Sequence, residues 1–415
     1  MLRLKAKIQA GALQYVLVIS VLIAILLLSF LMFVRLQQQL SAKNSLYKTA
    51  IFNVEAGFSY VLRSPYLEGM QGTVKISEYA GEVTQWKRSF WGLFELLQVQ
   101  SNYPGASFEK TAFVGMLTPE KEALYLRDNF TPLVVVGNSK IVGNARLPES
   151  GIKSGNIGGQ SYYNSRLIYG NTLKSTAELP SLEGVIRLKN DCRGTRENSS
   201  DDLELEQGAR LRNSFTKAPK LIEVTGLLHL EAISISGHVL IKSDRKIIVH
   251  PSADLHDVLI QAPEVELLAG VTGNFQVFAT ENIKVGSKVQ LQYPSALVLY
   301  NEEQHEDNSI NIAKDSEVRG SLVYLIDKNE QVFYKPQIKM ESGSTCIGQV
   351  YCQGNLELLG EVRGAVITER FITLQFGSTY INHLYNGTIN RPLMPANFAG
   401  CSFTKGTKQV VKWVD

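Results

Sequence analysis

Apolar and polar positions fall into three textures along the chain. From Gly11 to Val34, "GALQYVLVISVLIAILLLSFLMFV", no residue is charged over 24 positions. As a helix rising 1.5 Å per residue this run is about 36 Å long, enough for a hydrocarbon core of about 30 Å. Beyond Arg35 the apolar residues thin to Leu36, Leu40, Tyr47, Ile51, Val54, Phe58 and Val61. From Leu40 their gaps of 7, 4, 3, 4 and 3 trace one helical face. Nothing between Val34 and Leu36 breaks a helix, and Ser64-Pro65 ends it, because proline disfavours a helical residue before it. The pattern therefore predicts one helix from Gly11 to Arg63, with residues 1–35 as cytoplasmic tail and anchor and 36–64 as an amphipathic stalk.

Residues 65–131 read as a small mixed α/β connecting region. Trp86, Phe90, Trp91 and Phe94 there are expected to form a small core or a partner-binding stripe. Over 132–415 short apolar stretches alternate with glycine and asparagine. "HVLI", "DVLI" and "QVFA" start at His238, Asp257 and Gln276; "IIVH", "VELL" and "IKVG" start at Ile247, Val265 and Ile283. Two strand signals repeating in step every 18 or 19 residues predict stacked coils that bury a shared apolar core. "INIAKDSEVRG" aligns with "IKMESGSTCIG" 28 residues on, matching Gly320 with Gly348, and Gly364 follows 16 later. The predicted class is mainly β: a parallel β-helix (solenoid), read as right-handed because its coil length varies, with a β-sandwich as the rival. The polar stretch 183–220 is expected to be an exposed excursion, and 392–415 a cap closing the last coil.

Composition narrows the setting. Forty-two Lys and Arg against 39 Asp and Glu leave a net charge of +3, with no concentrated basic face for nucleic acid. The apolar run is too long for a cleavable signal, and Leu31, Met32, Phe33 and Val34 occupy the place of a small-residue cleavage site. Arg3, Lys5 and Lys7 precede it without acidic residues, which places the N-terminus in the cytoplasm and the bulk of the chain outside, in the periplasm or at the cell surface. The lipid bilayer is thus the expected partner of residues 11–34. Protein partners are expected along the stalk and the β-rich surface. In an exported protein Cys192, Cys346, Cys352 and Cys401 allow three disulfide pairings, and buried free thiols remain equally open.

A basic leader, a glycine, an unbroken apolar stretch and an amphipathic extension resemble the N-terminal helix of type IV pilins and their accessory membrane proteins. In pilin precursors a glutamate stands five residues after the cleavage glycine; counted from Gly11 that place is Val16, which argues against processing as a major fibre subunit. The stretch "IGQVYCQGNLELLGEVRGAVIT" resembles bactofilin-like β-helical proteins. The β-helical resemblance says little about activity. The anchor, the stripe over 40–61 and the repeats of 18 or 19 residues lead to the expectation of a non-enzymatic accessory, assembly or adhesion component of a pilus-like or secretion system. A membrane-tethered β-helical carbohydrate-active enzyme is the alternative.

That alternative needs paired carboxylates in a cleft. The acids in the repeats are Asp244, Asp254, Asp257, Glu264, Glu266 and Glu281, with Lys242 and Arg245 nearby. His238, His250 and His256 lack metal-ligand spacing. "LPESG" at Leu147–Gly151 is internal, unlike a sortase signal, and "GNIGG" at Gly155–Gly159 lacks the Gly-Lys-Ser/Thr of a phosphate loop. Asn129, Asn198 and Asn386 open N-x-Ser/Thr triplets. No catalytic, cofactor-binding or metal residue is assigned, and no cofactor is expected.

Overall fold

A single unbroken helix, α1 (Ala10–Arg63), runs from the apolar stretch into the stalk in the computed structural model, which describes residues 10–64, 70–76, 83–103, 105–117, 122–194, 208–327, 332–403 and 406–414. Leu, Ile, Val and Ala carry no polar group that competes with the backbone, and the hydroxyl of Ser20 bonds back to the Leu17 carbonyl. The side chains of the apolar stretch stay uncovered, and this helix is long and apolar enough to cross a membrane. Leu36 and Leu40 are exposed as well, so the stripe becomes a packed face only further along, at Ala50, Asn53, Val54 and Phe58. Asn53 donates to the Tyr103 hydroxyl at 2.7 Å.

The described chain forms two compact units. The smaller comprises Met1–Tyr60, Gln71–Trp86 and Val99–Glu109, the larger Val61–Met70, Lys87–Gln98 and Lys110–Asp415. The expected mixed α/β region is corrected: its described residues after α1 form only strands, Gln71–Val74, Val83–Trp91, Phe94–Tyr103, Ala106–Leu117 and Glu122–Leu126. Alternation decides this. "VTQWK" buries Thr84 and Trp86 and exposes Val83, Gln85 and Lys87 around them, the period-2 pattern of a strand. Thr407–Val414 pairs antiparallel with Ala106–Leu117.

The larger unit is dominated by parallel pairing between successive sequence repeats. In a central ladder Ile222, Ile241, Ile260, Val277, Leu297, Leu322, Val350 and Val366 are consecutive neighbours. A second ladder aligns Leu228, Ile247, Val265, Ile283, Ile310, Ile338 and Leu356. A third aligns Leu211, Ile235, Leu255, Gly273, Leu291, Val318, Cys346 and Val362. Apart from Leu211, which packs against it, and Gly273, these residues belong to one buried apolar cluster. Parallel neighbours in register place like side chains over like, so each repeat covers the apolar face of the one before.

The registers expected from sequence are met at Ile247–Val265–Ile283, Ile310–Ile338, Gly320–Gly348 and Gly348–Gly364. One differs. The motif spacing would set Ile260 beside Ala279, but its neighbour is Val277, two residues earlier: the pairing offset is 18 at His256 and falls to 17 at Leu259 across an irregularity. A two-residue shift keeps the same face inward and leaves the apolar pattern intact. Gly320, Gly348 and Gly364 stack for a steric reason: a Cβ on Gly348 would lie 2.0 Å from the Gly320 carbonyl oxygen, and Gly320 and Gly348 hold φ near +150°.

Stacking order departs from chain order. Glu122–Leu126 pairs in parallel with Val366–Thr368, and Lys140–Val142 with Thr388–Asn390, so the early segment extends the sheet beyond the last C-terminal repeat. Residues 392–415 therefore do not close that edge as expected; it is already filled. The chain then returns to the first repeat. Tyr351 donates to the Pro180 carbonyl, the helix α2 (Val185–Arg193) buries Leu188 and Cys192, and Gln261 donates to the Asp191 carbonyl. The expected polar excursion 183–220 is thus corrected at both ends. Leu188 and Cys192 share one helical face, and the strands Arg210–Asn213 and Lys220–Val224 begin the third and central ladders. Residues 195–207 lie outside the described residues.

Candidate functional site

Five of the six sequence-flagged carboxylates, Asp244, Asp254, Asp257, Glu264 and Glu266, are engaged by a neighbour. Asp244 accepts from the Gly226 amide at 2.6 Å, Lys246 bridges Glu264 and Glu266 at 3.7 and 2.7 Å, and Lys242 meets Glu223 at 2.6 Å. These are pairs along parallel ladders, where facing positions on adjacent strands come close.

Asp254, His256 and Asp257 belong to a longer chain. Ser234 donates to Asp254 at 2.9 Å, and His256 meets Asp254 at 2.9 Å and the Asn274 side-chain oxygen Oδ1 at 2.6 Å. Asn274 donates to Asp257 at 2.8 Å, and Lys412 reaches both Asp257 oxygens at 2.7 Å. Trp91 donates its indole N–H to the Asp257 carbonyl at 2.9 Å. The serine here bonds a carboxylate and not the imidazole, whose two nitrogens are both occupied, so this is not the geometry of an activated nucleophile. Its evident work is to fasten the C-terminal strand and the Trp91 turn to the third repeat.

His238, His250 and His256 do not converge. His238 stacks on Phe215 with ring centroids 4.9 Å apart, meets Trp91 edge-on at 4.6 Å, and contacts the Lys217 carbonyl at 2.8 Å. His250 pairs with His229, Nε2 to Nδ1, at 2.9 Å. His229 escaped the sequence reading; the signal was its place in "LLHL", one repeat before Ile248. Among the described residues no three His, Cys, Asp or Glu side chains gather as a metal site.

All four cysteines are buried free thiols. Burial pushes Cys346 and Cys401 up to about 12 and raises Cys192 and Cys352 as well, so none is poised as a thiolate nucleophile. "LPESG" forms a strand end and turn in which the Gly151 amide donates to the Pro148 carbonyl. "GNIGG" forms a tight hairpin, Asn156–Ile157 against Gln160–Ser161. Asn129 and Asn386 use their side-chain oxygens within the fold, accepting from Thr131 and from the Asn138 amide; Asn198 lies outside the described residues.

A cavity of 190 Å³ lies beside Arg88, Glu95, Arg187 and Lys408. Glu95 takes Arg88 as a two-pronged donor at 2.5 and 2.8 Å and Lys408 at 2.7 Å. Burial raises the Glu95 carboxyl, while Arg88 and Lys408 lower it more, leaving it below its ordinary value. Arg187 donates to the Gly92 carbonyl at 2.6 Å and to Asp191 at 2.8 Å, over the Phe90 ring. These charges neutralise one another and tie the C-terminal strand, the Trp91 turn and α2 together.

The most unusual surface of the described chain is therefore α1, with Leu13 to Phe33 presenting apolar side chains that no protein atom covers. No family model matches the chain, and no curated protein matches it. Among solved structures, the competence-associated pilin ComZ from Thermus thermophilus aligns at 12% identity over 88% of this chain and 97% of that one, with a TM-score of 0.21. A score that low marks no common fold.

Proposed function

We propose that this chain is a single-pass membrane protein whose β-rich part stands outside the cytoplasm as a right-handed parallel β-helix. It acts without enzymatic chemistry, as an accessory, assembly or adhesion component of a pilus-like or secretion system. The observation that carries this reading is α1: 54 residues of continuous helix, apolar and uncovered in its first half and packed by one face near its end. Burying that surface in lipid removes the cost of exposing it to water. Arg3, Lys5 and Lys7 favour a cytoplasmic N-terminus. Three ladders sharing one apolar cluster support the β-helical reading, and the engagement of the flagged carboxylates and imidazoles favours a structural role over a hydrolytic one. Exposed Leu36, Leu40 and Phe52 on the stalk suit a protein partner.

Fractionation and protease protection test the anchor and its orientation. The full chain should resist alkaline extraction from membranes, and a chain lacking residues 2–35 should be released. In inverted vesicles the β-rich part should be protected from added protease. Release of the full chain, or digestion of that part in intact inverted vesicles, overturns the reading. Mass spectrometry of the N-terminus adds a finer test: an end at Met1 or Leu2 fits an uncleaved anchor, whereas an end at Ala12 means pilin-type processing.

A further inference from the structure

Arg391 is an ionised side chain held at the wall of a cavity, where no anion among the described residues meets it. It follows the strand Thr388–Asn390, which pairs with Lys140–Val142, and sits beside Gly143 and Asn144. Among the described residues its buried Nε has no hydrogen-bond partner, and its side chain's polar contact runs from Nη1 to the thioether sulfur of Met394 at 2.8 Å. No carboxylate forms an ion pair with it among the described residues. Burial alone acts on its acidity, pulling it below the ordinary guanidinium value. A desolvated charge without a counter-charge costs stability, and a thioether is a weak acceptor. Every other cation beside a cavity described above, Arg88, Arg187 and Lys408, has a carboxylate.

The surroundings add a second donor and an apolar wall. Asn144 accepts from the Asn171 amide at 3.1 Å through its oxygen, and its side-chain NH₂ has no recorded partner among the described residues. Gly143 makes the approach possible, since a Cβ there would lie 2.9 Å from the Arg391 Cβ. The cavity holds 400 Å³ and is lined beyond these groups by Leu117, Pro392, Met394, Pro395 and Phe398.

We propose that this cavity is a binding site for a carboxylate carried on a small apolar body, with Arg391 and the Asn144 amide as donors. The guanidinium fork matches a carboxylate in a two-pronged geometry, and one cation balances one negative charge. A phosphate would call for more positive charge than one arginine supplies. A sugar would call for more hydrogen-bonding groups than prolines, leucine and phenylalanine offer. The volume falls within the range of small-ligand cavities, about 300–1,000 Å³. Two sources share this chemistry, the free carboxyl end of a peptide and a free branched organic acid.

Calorimetric titration of the detergent-solubilised full chain tests the site with N-acetyl-Ala-Leu, its C-terminal amide, and 4-methylpentanoate. The acid peptide should bind about tenfold or more tightly than the amide, and Arg391→Met should lose about the same factor. Binding by 4-methylpentanoate as tight as by the acid peptide assigns the site to free organic acids; much weaker binding assigns it to peptide ends. Unliganded Arg391→Met should melt at or above the wild-type temperature, because an apolar side chain of similar size removes an unpaired charge. Equal affinity for acid and amide, no binding by either acid, unchanged affinity in Arg391→Met, or a lower melting temperature for that variant each overturns the proposal.

Discussion

The central and second ladders carry the same repeat yet meet different surroundings. Central strands such as Val239–Ser243 and Thr272–Ala279 are buried at nearly every position from Val239 to Ile241 and from Asn274 to Ala279. Second-ladder strands such as Lys246–Val249 and Glu264–Leu267 alternate buried with half-buried. The inward residues of both enter one core. Outward residues of the central ladder, Leu240, Leu259, Phe278, Val298, Val323 and Tyr351, enter a second apolar cluster with Trp91, Phe94, Leu188 and Cys192. Outward residues of the second ladder are Ile248, Glu266, Lys284, Asn311 and Lys339, facing solvent and one another. A strand covered on both faces reads as a continuous apolar run and one covered on a single face alternates. "VLI" and "IKV" thus differ because a second layer lies over only one of the two ladders.

The sharpest way to break this comparison is Phe278→Ala. Its ring is fully buried although it points away from the shared core, so its loss should cost about 3–5 kcal/mol, read as a lowered denaturation midpoint. A cost below about 1 kcal/mol would mean that the second layer is loosely held.

Next in size is the fastening of that layer. Asp257→Asn leaves the left-handed backbone at Asp257 (φ 61°) tolerable but removes the charge that Lys412 meets. A loss of about 1–3 kcal/mol is expected, with faster amide exchange over Thr407–Val414 and little change in Val239–Ser243. Uniform acceleration across both would show that the layer and the ladders open as one.

Acid should loosen the same layer through Glu95. Its folded pKa lies below the unfolded value, so its stabilising effect is full above the unfolded pKa and disappears as pH falls through the folded one. Wild type should therefore lose melting temperature more steeply than Glu95→Gln below the ordinary carboxylate range. Parallel pH profiles would remove Glu95 from the account. The smallest effect belongs to the second ladder: Lys284→Thr, six positions from Phe278, should change stability by no more than about 0.5 kcal/mol in the same denaturation experiment.

Much of the fold was legible because its signals are local and repeated. The helix followed from an uncharged run and a one-sided stripe, and the second ladder from spacings of 18 that became the observed neighbours. The connecting region was less legible because Trp86, Phe90, Trp91 and Phe94 fit either period until their partners are known. The candidate chemistry was least legible. Three histidines close in sequence went to three environments, and Arg391 stands out only once the described residues around it are seen in space to offer no carboxylate.

The amino-acid order by itself determined which face of each repeat turns inward, where the long helix stops, and which glycines stack. These are consequences of side-chain period, charge and the missing Cβ, and they act within a few residues. Only the tertiary structure decided that residues 122–147 extend the sheet beyond residue 390, and that Thr407–Val414 lies beside Ala106–Leu117. An open strand edge offers the same backbone donors and acceptors to any partner, so its hydrogen bonds carry no address. The long return through residues 175–209 costs little more than a short one, because loop-closure entropy grows only with the logarithm of length. Packing across the whole molecule, and no local signal, therefore chose the neighbours.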